Sequence, residues 1–190
     1  MANKIKFGLK NTHYAVVTET TNPSTGVVTS SYGTVKAWPG SVNLTLDAAG
    51  EDTPFYADDS VYAMLTSNSG YTGTFESALI PEDVNLNVLG QTKTSDGLVT
   101  ETNKDVKKYI AIMTEFQGDE SGRRYVFYRC MLTRPSVASQ TTEAAATPQT
   151  DTVNITISPR PDDGKVKAYA DYGASAYSGF YDSVPVASTP

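Results

Sequence analysis

Cysteine occurs once in this 190-residue chain, as Cys130, and histidine once, as His13. A single thiol closes no internal disulfide, so nothing in the sequence asks for an oxidising compartment. Zinc sites need several Cys or His ligands, which are lacking, and no cofactor or metal is expected. A Ser-His-Asp or Cys-His set would have to use His13, which stands at a strand start with no nucleophile motif nearby. Cys130 falls on an apolar strand face, the setting of an inert buried thiol. Asp47, Glu51, Asp52, Asp58 and Asp59 lack the spacing of a calcium loop. Gly70 and Gly73 begin a strand and form no phosphate cradle. No enzymatic machinery is visible, and the chain is not expected to be an enzyme.

Long apolar runs are missing as well. Residues 1–10 lack the core of a signal peptide, and no stretch reaches the length of a membrane span, so folding in a cytosol is expected. Positive charge is scarce: 15 Lys and Arg face 21 Asp and Glu, giving a net charge of −6 and a pI near 4.7. Grasping DNA is thereby disfavoured, because phosphate binding draws on Lys and Arg. Letting nucleic acid pass is still allowed.

The charges that are present are segregated. Between Lys36 and Lys93 there is no basic residue but there are eight carboxylates, namely Asp47, Glu51, Asp52, Asp58, Asp59, Glu76, Glu82 and Asp83. From Lys104 to Arg134 seven bases outnumber four acids. Opposed surfaces of this kind repel polyanions on one side and favour head-to-tail docking of identical copies. Twelve Tyr against six Phe and one Trp point to half-buried rings whose hydroxyls meet water or a partner.

Val, Thr, Tyr and Ile dominate the ordered segments, and helical periodicity is nearly absent, so the expected class is mainly β. Strands are expected at Tyr14–Glu19, Val42–Leu46, Val61–Leu65, Tyr71–Ile80, Val153–Ile157 and Val166–Ala170. Tyr109–Phe116, apolar on both faces, reads as a central strand. In Tyr125–Leu132, Val126, Tyr128, Cys130 and Leu132 would share one face. Val27–Val28 and Val35–Ala37 are expected to flank a hairpin tip at Ser30–Gly33. Pro81, Glu82 and Asp83 open the single short helix, with Val84, Leu86, Val88 and Leu89 supplying its contacts and Gly90 its end. The architecture expected is two packed antiparallel sheets, a sandwich or partial barrel, with that helix at its flank. Residues 136–152 read either as a disordered connector or as an extended stretch. Residues 169–190 read as an arm that could bury its rings on a neighbouring copy, leaving 1–168 as the β domain.

Five groups of residues carry a family resemblance. They are Asn3–Asn11, Phe55–Asp59, Gly70–Gly73, Ala78–Asp83, and Cys130 through Pro135–Ser136. In this order they resemble the major tail proteins of long, non-contractile-tailed bacteriophages, the phi13-type tail tube family, as far as about Lys167. The resemblance implies a structural virion protein that assembles in the host cytoplasm and ends in the virion tail. It also implies hexameric rings stacked into a tube, with tape-measure, terminator and distal tail proteins as further partners and DNA only in transit.

Under that resemblance the acidic Asp47–Ser60 segment is expected to be a long loop reaching a neighbouring subunit or ring. Phe55 and Tyr56 would anchor it, with Asp47, Glu51, Asp52, Asp58 and Asp59 as its charges. Arg123, Arg124, Arg129 and Arg134 are its expected basic counterparts. A bore through which DNA slides should be polar and net negative, which nominates Asn43, Thr45, Asp47, Thr72, Thr74, Glu76, Asn154 and Thr156 as lumen-facing. The alternative is a β-sandwich module, monomeric or a small oligomer, that binds carbohydrate or a receptor through exposed tyrosines.

Overall fold

The computed structural model describes residues 4–118, 120–141 and 148–187. Part of the stretch 136–152 and the end of the segment 169–190 therefore lie outside the described residues. The first strand, β1, runs over Lys6–Thr21, followed by β2 (Val28–Tyr32), β3 (Lys36–Ala37) and β4 (Ser41–Ala49). Next come β5 (Thr53–Ala57), β6 (Ser60–Leu65), β7 (Gly70–Ser77) and the helix α1 (Glu82–Asn87). Two short strands, β8 (Thr92–Lys93) and β9 (Val99–Thr100), precede β10 (Ile110–Gly118) and β11 (Arg123–Leu132). The chain continues through β12 (Asp151–Ile157), β13 (Lys167–Asp171) and a second short helix, α2 (Ser175–Ser178). Among the described residues no helix is long and apolar enough to cross a membrane.

The class is mainly β, as expected, and the large sheet is antiparallel in the order β2-β1-β10-β11-β12-β7-β4. Its two packed layers are the two ends of one continuous ladder curled over a shared core. Trp38 shows the closure. Its ring meets Tyr14 of β1 at 5.7 Å and Phe75 of β7 at 5.0 Å, and its indole N–H donates to Ser77 Oγ at 3.1 Å. Ile110, Ile112, Leu132, Val153, Ile155 and Ile157 fill the same interior from the intervening strands.

Helix α1 seals this core with Val84, while Val88 and Leu89 just beyond it are also buried. At six residues it is too short to hold by propensity, and side-chain bonds fix its start. Lys36 Nζ lies 2.8 Å from both Asp83 oxygens, and the Tyr14 hydroxyl donates to the same carboxylate. The helix ends at Asn87 with Val88 as its C-cap, ahead of the expected Gly90, which instead turns the following chain at φ 85°, where a Cβ would meet the Val106 carbonyl oxygen at 2.6 Å.

Several expectations are corrected. The first hairpin joins β1 to β2, pairing Val17 with Tyr32 and Thr21 with Val28, so Ser30–Gly33 is no hairpin tip. Inside β11 an extra residue shifts the register, because Ile110 faces Cys130 while Ile112 faces Phe127. This bulge moves Val126 and Tyr128 to the opposite face from Cys130 and Leu132. A second, smaller core forms on that opposite face, where Ala15, Ala111, Met113 and Ala170 leave room for Phe180 and Val184. The segment after residue 168 thus continues β13 and then folds back over its own sheet, with the Tyr128 hydroxyl donating to the Pro185 carbonyl at 2.9 Å.

The turn after β12 carries a buried cation. Arg160 donates to Asp162 at 2.6 Å and 2.9 Å, lies 3.3 Å from Asp163, and faces the rings of Tyr32 and Tyr128 at 5.5 Å. Hydrogen bonding from Arg160 holds the Asp162 carboxyl at about 2. Because this lies below the ordinary value, the pair contributes stability above about pH 4 that is lost as the pH falls toward 2. Asp162→Asn should lower stability at pH 7 by about 1 kcal/mol, the linkage value being reduced by solvent screening. Urea titrations across pH should show a flatter acid limb in the variant.

Candidate functional site

Strands β5 and β6 form a two-stranded sheet of their own, outside the large one. The acidic segment is therefore a β-hairpin and not a loop. Its turn is Asp58-Asp59, both at positive φ (50° and 57°), the geometry of a two-residue turn with the twist of the flanking strands. Pairing runs from Thr53–Leu65 to Ala57–Ser60, with a register shift between Phe55 and Tyr56. An isolated hairpin of this size is marginal in water and gains stability only by packing on something.

On its own chain the hairpin packs on little. Phe55 is 54% exposed, Tyr56 65% and Tyr62 71%, and Val61, Met64 and Leu65 are each more than half exposed. Phe55 and Tyr62 meet edge to face at 6.4 Å. Single exposed apolar residues are ordinary, but six on one protruding element make a patch of the kind that marks an interaction site. Glu51, Asp52, Asp58 and Asp59 flank it, and among the described residues none of the four joins an ion pair with its own chain.

A second surface lies on the outer side of β4, β7 and β12. The registers line up Asn43, Glu76 and Thr152; then Thr45, Thr74 and Asn154; then Asp47, Thr72 and Thr156. The residues nominated as lumen-facing thus form one ladder on three adjacent strands, all outside the core, while Leu44, Phe75, Val153 and Ile155 point inward. None of these strands contains Lys or Arg. Glu76 accepts a hydrogen bond from the Thr150 hydroxyl at 2.5 Å on this face. Gly73 is an inward position of β7, where a Cβ would strike the Thr45 carbonyl oxygen at 1.9 Å.

The four arginines nominated as counterparts are engaged within the chain. Arg123 bonds Asp171 at 2.6 Å, Arg124 bonds Glu115 at 3.1 Å, Arg129 bonds Glu19 at 2.5 Å and Arg134 bonds Glu101 at 2.5 Å. Burial by itself would raise the Glu115 carboxyl, yet hydrogen bonds from Arg124, Asn11 and Lys10 hold it below its ordinary value. Arg124 also stacks on Tyr177 at 3.8 Å and donates to its carbonyl, which ties the C-terminal segment to the sheet.

No protein-family model and no curated protein sequence matches the chain. The residues available for other chemistry are structurally committed. The His13 Nδ1–H donates to the Asn11 carbonyl at 2.8 Å, and the ring stacks on Tyr181. Burial pushes the Cys130 thiol well above its ordinary range.

Residues of β6 were not nominated from the sequence. The signal was there: Val61 to Leu65 reads as a strand, but Tyr62 and Met64 find no core partner. The aromatic rim around Phe116, Tyr125 and Tyr169 was also missed, because those rings are spread over three strands.

The four arginines should separate by burial. Arg129, with its side chain 19% exposed over the Tyr109 ring, leaves Glu19 unpaired when replaced. Arg129→Ala should cost about 1–3 kcal/mol. Arg134, 70% exposed, should change stability by less than about 0.5 kcal/mol. Chemical denaturation of both variants checks the ordering.

Proposed function

We propose that this chain is a structural subunit that joins identical copies into stacked rings forming a hollow tube, as the resemblance to phage tail tube proteins implies. In that role it takes its place in a virion tail, with tape-measure, terminator and distal tail proteins as neighbours and DNA only in transit. One observation carries the reading: the chain keeps an apolar hairpin outside both of its cores, with its carboxylates unpaired. Burying that hairpin on another copy removes the exposed patch and gives the marginal sheet a support. Repeated head-to-tail contacts either close into rings or extend into filaments.

The β4–β7–β12 face supports the second half of the reading. It offers hydroxyls, amides and the carboxylates Asp47 and Glu76 without a single base. A polyanion moving past such a wall finds no cation to release its counterions against, so it is not retained. Arg124, Arg129 and Arg134, each paired within the chain, contribute to holding the subunit together rather than its neighbour.

Negative-stain microscopy and sedimentation of the concentrated chain should show rings or tubes. Phe55→Ser with Tyr56→Ser should leave discrete particles whose unfolding midpoint is unchanged; unimpaired tubes from this variant would contradict the hairpin's role. Thr45→Lys with Asn154→Lys should still assemble, but the tubes should retain DNA in a manner that weakens steeply with salt. Tubes that ignore DNA despite those lysines would place this face away from the bore.

A further inference from the structure

A cluster of aromatic rings and cations surrounds the open end of the curled sheet, and it complements the hairpin in both charge and chemistry. Phe116 and Tyr125 lie 4.9 Å apart, and Tyr125 and Tyr169 lie 5.7 Å apart. Cations cover these rings: Lys6 is 5.6 Å from the Phe116 centroid and Arg123 is 4.3 Å from that of Tyr169. Lys167 stands 4.5 Å over Tyr71, next to the same group. Among the described residues, Arg123 pairs with a carboxylate, Asp171, and no ion pair includes Lys6 or Lys167. In a chain of net charge −6 this rim is locally positive.

Resting on the proposed function, we infer that this rim is the receptor for the β5–β6 hairpin of a second copy of the chain. Phe55 and Tyr56 would lie against Tyr125 and Tyr169, and Asp58 and Asp59 would face Lys6 and Lys167. The fit follows from charge complementarity. The hairpin carries carboxylates outside any described ion pair beside exposed rings, and the rim carries ammonium groups beside the 55% exposed ring of Tyr169 and the half-buried rings of Phe116 and Tyr125. Opposed charges steer such surfaces together and set their register, while the buried rings supply the holding energy.

The geometry also fixes which neighbour is involved. The hairpin springs from Ala49 and Gly70, which pair with each other. Tyr71, the next residue, carries the Lys167 ammonium over its ring. Hairpin and rim therefore share one end of the curled sheet. A contact between them sets two copies side by side with the same end up, as within a ring, and not end to end as between rings.

Charge exchange and cross-linking test this directly. Asp58→Lys with Asp59→Lys, and separately Lys6→Glu with Lys167→Glu, should each raise the concentration needed for assembly about tenfold or more, a change equal to about 1.4 kcal/mol per contact. Mixing the two variants should restore it, since each supplies the surface that the other lacks. A chain with Tyr56→Cys and Tyr169→Cys should give a covalent ladder of multimers on oxidation, with buried Cys130 left reduced. Rim reversals without effect on a wild-type chain that assembles, a cross-link confined to monomers, or failure of the mixture to restore assembly would overturn the docking inference and leave the proposed function standing. A wild-type chain that stays monomeric at high concentration would overturn both.

Discussion

Strand β11 has three hydrogen-bonded partners, and the register shift inside it is what allows all three. Its outer half, Arg123 to Phe127, pairs with β13, while Cys130 to Leu132 pairs with β12, and β10 runs along its other edge. A regular strand would keep one set of side chains on one face throughout. The extra residue between the halves inverts that parity, so Phe127 and Cys130 both enter the main core while Tyr128 turns to the other side. From there the sheet can bend away toward β12, β7 and β4 and close over Trp38. The opposite face of β11 becomes the floor of the second core, which the C-terminal segment covers.

Once both faces of the sheet's middle are buried, little apolar surface remains except at the margins. The curled sheet leaves its β4–β7–β12 face to polar residues, and it leaves the β5–β6 hairpin with nothing of its own chain to lie on. Stability and assembly are thereby divided between different residues. Arg124, Arg129 and Arg160 satisfy carboxylates inside the subunit, whereas among the described residues the charges on the hairpin join no ion pair. In the tube proposed above, self-association would satisfy that surface, with the rim of aromatics and cations as its counterpart.

Where strict alternation governs, the sequence was a good guide. Leu44 to Asp47, Tyr71 to Glu76 and Val153 to Ile157 each place apolar residues inside and polar ones outside, and the polar residues meet in one ladder; Val42, expected on the inner face, is half exposed beside the register shift between Ser41 and Asn43. The helix was equally legible, since Pro81, two acids and a buried Val84 specify it locally. The β11 bulge was not, because it changes parity without any compositional mark. The acidic hairpin read as a loop because Gly50, Pro54 and Asp58-Asp59 have loop composition, and only the positive φ of the two aspartates makes them a tight turn. The C-terminal segment looked unable to bury its rings alone. Three alanines on three separated strands, Ala15, Ala111 and Ala170, open the space that takes Phe180, and such pooling of small residues cannot be seen along a chain.

In the proposed tube the hairpin is unsupported in the single subunit and supported between subunits. Hydrogen exchange of the backbone amides in Thr53–Ala57 and Ser60–Leu65, followed over a range of protein concentration, measures this most directly. Those amides should exchange rapidly in dilute protein and become protected as the chain self-associates, while the β10 and β11 amides stay protected throughout. Hairpin exchange that is equally fast, or equally slow, at every concentration would contradict the account.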